Sequence, residues 1–226
     1  MRKGDEKRQE LLNTAERLFC RQGYEETSVQ DLLNAASMSK GGFYHHFASK
    51  EEVLSALCAR RAERAAAFTA EALPGATTPI ARINTVLYGV MPLRLAETEF
   101  IAMLLPAVEK PEGRSIALTY QDALLTHFVP LLRAEITAAA TVEAVFPPVK
   151  DMERLVLHLV NHCWIEAVTT QAHALREGNR LDALSLLQIL DKYRRAIELL
   201  LDAPYGSVEI VRVEEWDEVF RRIAGM

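Results

Sequence analysis

Residues 27–50 read TSVQDLLNAASMSKGGFYHHFASK, two short helix-like stretches joined by a tight turn, and no other segment restricts the fold as closely. Thr27 with Gln30, or Ser28 with Asp31, approximates a capping box, so the start of the first stretch is open between two registers. Leu32 and Leu33 give it an apolar face, while Ala35 and Ala36 let a second helix approach closely. Ser37 and Met38 make the turn. Ser39 caps the second stretch, which presents Lys40, Gly41, Gly42, Tyr44 and His45. Phe43 and Phe47, four residues apart, share one helical face and are expected to anchor it to a core. A helix pinned from behind by two aromatics, with small, hydroxyl and basic groups in front, suits a DNA major groove. The two adjacent glycines give up roughly 2 kcal/mol of helix propensity, and close backbone approach to DNA is a reason to keep them.

Helical periodicity surrounds this element. Leu11, Leu12, Ala15, Leu18 and Phe19 predict a first helix over residues 6–22, stopped by Gly23. Ser49 with Glu52 forms another capping box and opens a helix that runs through Val53, Leu54 and Leu57 to about residue 73. PGATTP at 74–79 breaks the chain, and helical patterns follow at about 79–96, 98–109, 114–140, 150–177 and 181–202. Pro92 and Pro130 fall inside two of these, predicting a kink or a break at each, and loops are expected at 111–113, 147–148 and 178–179. No strand pattern precedes residue 206. Beyond it, SVEIVRVE reads as an extended segment. Trp216, Val219, Phe220 and Ile223 then predict a short amphipathic helix that packs on the body or on a partner. The expected fold class is all-α.

The net charge of −5 argues against a protein coated in nucleic acid but not against a local site. Residues 1–50 carry eight Lys/Arg against seven Asp/Glu, and the remainder eighteen against twenty-four. Arg2, Lys3, Lys7, Arg8, Lys40 and Lys50 concentrate positive charge where phosphates would lie. Arg60, Arg61 and Arg64 read as a solvated helix face. Cys20, Cys58 and Cys163 are odd in number and lack any C-x-x-C spacing, so reduced core thiols and a reducing compartment are expected, with a disulfide between two of them as the alternative. With no apolar segment near Met1 and no apolar run of about 18 residues, the expectation is a soluble cytoplasmic protein with no membrane partner.

On LFCRQGYEETSVQDL and SKGGFYHHFASKEEVL, residues 1–60 resemble the DNA-binding domain of TetR-family transcriptional regulators. The resemblance implies an N-terminal three-helix helix-turn-helix domain (1–49), a helical ligand-binding and dimerisation domain (50–204, with 50–73 as a linking helix) and a C-terminal extension (205–226). It implies a homodimeric repressor that binds a palindromic double-stranded DNA operator and is released by a small-molecule effector. Lys40, Gly41 and Gly42 would approach bases or backbone, Tyr44 and Lys50 would hold phosphates, and His45 would reach into the groove. Thr27 or Ser28, with Ser39, would present hydroxyls to phosphate. Helices 150–177 and 181–202 would pair with their copies. The family often has Gly where Ser37 stands, and a left-handed Ser there costs roughly 1–2 kcal/mol.

Tyr88, Met91, Phe100, Met103, His127, Phe128 and Trp164 lie on the middle helices, where the family encloses its ligand. Each is either core or lining of an adaptable pocket for an effector that is apolar or aromatic in part. His158, His162 and Glu166, at i, i+4 and i+8 beside Cys163, keep a metal-responsive regulator open as an alternative, though the expected reading is an interface or pocket wall and no metal or cofactor. A ligand-independent DNA-binding regulator is the other alternative. No nucleophile motif, P-loop or dinucleotide fingerprint is present, so no enzyme is expected.

Overall fold

A computed structural model describes residues 3–91, 100, 113–143, 151–179 and 183–211. Those residues form eight α-helices and no strand: α1 (Lys3–Gln22), α2 (Val29–Ala35), α3 (Lys40–His46), α4 (Lys50–Ala72), α5 (Pro79–Val90), α6 (Gly113–Glu143), α7 (Met152–Arg176) and α8 (Ala183–Leu201). A 3-10 turn, Leu73–Gly75, separates α4 from α5.

Helices α1 to α3 and the start of α4 close around one apolar cluster. Leu11, Leu12, Ala15 and Phe19 of α1 meet Leu32 and Leu33, the two aromatics Phe43 and Phe47, and Val53, Leu54 and Leu57, all buried. Burying each of those two Phe side chains contributes on the order of 1.5–3 kcal/mol. Gly23 ends α1 at φ 89°, with its N–H on the Phe19 carbonyl at 3.0 Å.

Beyond α4 the helices stack as a bundle, with α4 and α6 in the most extensive contact. Its core joins Ile83, Val86 and Leu87 of α5, Leu124, Phe128 and Leu132 of α6, Val156, Val160 and Trp164 of α7, and Ile197 and Leu201 of α8. Helices α4 and α5 cross at Thr69 and Gly89, where a Cβ on Gly89 would overlap the Thr69 hydroxyl. Charged pairs then tie the layers. Arg82 forks both oxygens of Glu135, at 2.6 and 2.9 Å, and also donates to the Leu73 carbonyl. Glu166 of α7 accepts from Lys192 and from the Tyr193 hydroxyl of α8.

The break expected at Pro92 is present, and several other sequence expectations change. Helix α5 ends at Met91, whose ψ of 115° is the extended conformation that a following proline favours, so the chain breaks one residue before Pro92. Pro130 breaks nothing: α6 remains helical across it. Of the expected 98–109 helix only Phe100 lies within the described residues; Met103, the loops at 111–112 and 147–148 and the Trp216 segment lie outside them. The described part of the tail is irregular rather than a strand, and it is strapped to the bundle. Buried Glu198 accepts from the Gly206 N–H at 2.8 Å and from Arg194, while the Asn84 amide donates to Ser207 O at 2.9 Å and accepts from Glu209 N–H at 3.0 Å.

Candidate nucleic-acid interface

The start of α2 settles between the two registers. Ser28 is the cap: its hydroxyl accepts from Asp31 N–H at 3.1 Å, and the Asp31 carboxylate accepts in return from Ser28 N–H at 2.8 Å. The Ser28 hydroxyl, which donates to the same carboxylate at 2.6 Å, and then the Ser28 N–H hold the Asp31 carboxyl below its usual range. Thr27 is fully buried and its hydroxyl donates to Gly23 O at 2.7 Å. The expectation that Thr27 presents a hydroxyl outward is therefore corrected: it fastens the loop after α1, and Ser28 keeps the exposed position.

The turn from α2 to α3 is a Schellman motif with serine in the glycine position. Met38 N–H reaches Leu33 O at 2.9 Å, Ser37 N–H reaches Asn34 O at 3.3 Å, and Ser37 adopts φ 49°. The strain of a left-handed Ser is thus present, roughly 1–2 kcal/mol. The turn directs α3 outward at a fixed angle. Ser39 caps α3 through the Gly42 N–H at 3.1 Å, and Phe43 and Phe47 hold its inner face.

Lys40, Gly41, Tyr44 and His45 remain on the outer face, all exposed, with Tyr44 half exposed and packed edge-on against Phe43 at 5.3 Å. The two glycines differ. A Cβ at Gly42 would press on Met38 Cγ at 3.1 Å and Ser39 Oγ at 3.3 Å, whereas one at Gly41 would meet nothing within 4 Å. Packing of the turn accounts for Gly42. Only Gly41 calls for a reason outside the chain.

Lys50 is half-buried. Its Nζ donates to Tyr24 O at 2.9 Å and lies 4.2 Å from the Tyr24 ring centre. It thus pins the loop between α1 and α2 to the start of α4, where Ser49 caps through Glu52 N–H. The returning Glu52 carboxylate bonds Ala48 N–H rather than Ser49, a shift of one residue from the simple capping box. Beside them, burial followed by the nearby Glu51 and Glu25 carboxylates raises the Tyr24 hydroxyl pKa. Lys7 pairs with Glu10, and Arg8 stacks on Phe47 with 4.7 Å from Cζ to the ring centre.

Arg60 and Arg61 are not the solvated face their sequence implied. Both side chains are largely buried and both bind Glu16 of α1. A polar stripe on α1, Gln9, Asn13 and Glu16, was the available signal: it flanks the apolar stripe and contains groups able to receive a guanidinium.

The expected ligand residues separate in the bundle. Met91, Phe100, Phe128 and Trp164 are buried core, and Trp164 donates its indole N–H to Asn161 at 2.9 Å. His127 is half-buried. Of the six that are described, Tyr88 alone lines a groove of about 620 Å³ between α4, α5 and the tail, beside Phe68, Ile80, Asn84 and Val211. His158 has its Nδ1 2.6 Å from the Gln121 amide nitrogen, and His162 Nδ1 lies 3.2 Å from His158 O. Among the described residues no cluster of three metal-ligating side chains forms around them. All three cysteines are free thiols, and burial pushes Cys58 and Cys163 up to about 12. No described helix is long and apolar enough to cross a membrane.

Comparison with known proteins agrees with this geometry. The sequence pattern of bacterial regulatory proteins of the tetR family matches residues 11–57. The chain is 40% identical over 65 residues to the transcriptional repressor AcnR of Corynebacterium diphtheriae, covering 29% of this chain and 34% of that protein. It is 43% identical over 51 residues to the repressor KstR2 of Mycobacterium tuberculosis, covering 23% and 26%. These curated relatives are thus matched over about a third of their length or less. Solved structures extend the likeness to most of the chain. The regulator FadR of Bacillus subtilis, in complex with stearoyl-CoA, matches with a TM-score of 0.57 at 15% identity, covering 87% of this chain and 99% of that one. A TetR transcription regulator of Haloarcula marismortui matches at 0.56 and 18%, covering 88% and 97%. At such identities the likeness is one of fold. Residues 11–57 thus match the helix-turn-helix pattern of the tetR family of bacterial regulatory proteins, and the helices beyond them share the fold of solved transcription regulators.

Proposed function

We propose that the protein is a homodimeric cytoplasmic repressor that reads a palindromic operator with α3 and lets go when a small molecule binds its C-terminal domain. The observation that carries the DNA reading is the outer face of α3. Lys40, Gly41, Tyr44 and His45 are exposed together, on a helix whose other face is fixed by Phe43 and Phe47. Gly41 has open space beside it, which allows a phosphate or base edge to approach the backbone. Ser28, Ser39 and Gly42 support that face, and Lys50 adds positive charge behind it. Residues 1–49 would form the DNA-binding unit, 50–204 the regulatory unit and 205–226 an extension.

Dimerisation through α7 and α8 is supported by the large apolar side chains they leave exposed, Leu155, Leu184, Leu187 and Leu199. A two-fold pair would set two α3 helices into successive major grooves, and the operator would be an approximate inverted repeat. Regulation by a small molecule rests on the shared fold of FadR, which binds stearoyl-CoA. By linkage, an effector that favours a different spacing of the two α3 helices weakens DNA binding. The test is selection from a random DNA pool by the full chain. An enriched inverted repeat, bound by a dimer in sedimentation, supports the reading; a folded protein that enriches no sequence contradicts it.

A further inference from the structure

Glu16 sits on α1 facing α4, and two consecutive arginines of α4 share its carboxylate. Arg60 donates to one oxygen at 2.6 Å, and Arg61 donates through Nε to the other at 2.9 Å. The two arginines then diverge. Arg60 also bonds Gln9 and Asn13, so it grips one face of α1 over two turns. Arg61 instead lies over the ring of Phe100, with Cζ 4.1 Å from the ring centre. Phe100 in turn stands edge-on to Tyr120 of α6 at 5.1 Å, and both rings are buried.

A guanidinium hydrogen-bonds along its edge and stacks on its faces, so one group can serve a carboxylate and a ring together. It does so only while the two partners keep one relative position. We infer that Arg61 is the positioning residue through which the C-terminal bundle sets the placement of α1. A shift of the Phe100–Tyr120 pair pulls the guanidinium off Glu16 or breaks its stacking, and α1 carries α2 and α3 through their common core. Arg60 holds α1 against α4 by bonds confined to α1. Arg61 connects that joint to the bundle. The consequence for DNA rests on the function proposed above; the mechanical link does not, since it joins two parts of the chain whatever α3 binds.

Physical connection becomes coupling only when a change at one end is felt at the other through the intermediate. Amide exchange measured by mass spectrometry on the full chain tests this without DNA or effector. The set is wild type, Phe100→Leu, Arg61→Gln and the double variant. Phe100→Leu is expected to speed exchange in residues 11–19 about three- to tenfold when Arg61 is present, and to add nothing when Arg61→Gln is already in place. Equal acceleration in both backgrounds, or none in residues 11–19 while residues 120–129 change, overturns the inference. Should Phe100→Leu unfold the bundle, Glu16→Gln reads the link from the other end. It should alter exchange around Tyr120 only in the Arg61 background, and an equal change in the Arg61→Gln background, or none, overturns it. DNA selection fails or succeeds independently, so a dead DNA reading and a dead joint are told apart.

Discussion

The helix-turn-helix end and the C-terminal bundle of this chain are fastened by contacts of different reach. From Ser28 to Glu52 the helix starts are closed by side chains within four positions: Ser28 with Asp31, Ser39 with Gly42, Ser49 with Glu52. Lys50 to the Tyr24 carbonyl, 26 positions apart, is a longer tie at that end, whereas in the bundle long ties between layers recur. Arg82 and Glu135 are 53 positions apart, Glu166 and Lys192 are 26, and Asn84 and Ser207 are 123. Local caps fix short helices in one orientation and leave a rigid outer face. Distant pairs instead depend on how whole helices are placed against one another, so in the regulator proposed above they are the contacts that a rearrangement of the bundle would alter.

The hardest way to break the contrast is to remove a core aromatic from each end. Phe43→Ala and Trp164→Ala should each cost about 3–5 kcal/mol in denaturant unfolding, since both side chains are completely buried. Exchange measurements should localise the first loss to residues 11–57 and the second to α6 and α7. If Phe43→Ala loosens both ends equally, the two parts do not differ in the way claimed. Glu198→Ala tests a distant fastening alone. It removes the buried carboxylate that holds Arg194 and the Gly206 N–H, at roughly 2–4 kcal/mol, and protease should then cut within residues 205–211.

Smaller changes sharpen the comparison. Ser37→Gly relieves a left-handed serine and should raise stability by about 1 kcal/mol, offset in part by the greater freedom of glycine in the unfolded chain. Thermal melting would show it, and a fall in Tm would mean the turn is relaxed as it stands. The smallest expected effect is a pH dependence from His158. Burial, followed by Arg154 and His162, lowers its pKa from the ordinary 6.5. A histidine held neutral in the fold takes up its proton first in the unfolded chain, so stability is full above pH 6.5 and falls as pH drops below it toward the folded pKa. His158→Gln should flatten that part of the stability curve measured by urea unfolding.

How much of this was legible beforehand follows the same division. Caps, apolar stripes and Gly23 lie within a turn or two of what they act on, so α1 to α4 could be read from the chain, and the left-handed Ser37 stood out because glycine was the expected residue. Thr27 misled because its neighbour Ser28 offers the same cap chemistry, and only burial separates them. Arg60 and Arg61 misled because helical spacing gives a face but not what the face meets. Asn84 carried no local sign, because its partners are backbone groups of the tail, and Glu198 showed only Arg194 and Arg195 on its own helix and not the tail N–H it also holds. The groove beside Tyr88 arises in the same way, from three elements separated along the chain.

The central claim is that the outer face of α3 reads DNA. Its most direct test is a binding titration against the sequence enriched from random DNA and against a scrambled control, at several salt concentrations, with wild type, Lys40→Ala and Tyr44→Ala. Wild type should prefer the enriched sequence and weaken steeply with salt. Each substitution, at an exposed position on α3, should cost about 1–3 kcal/mol of operator affinity while leaving the fold intact. Equal affinity for both DNAs, or operator binding unchanged in both variants, would contradict the account.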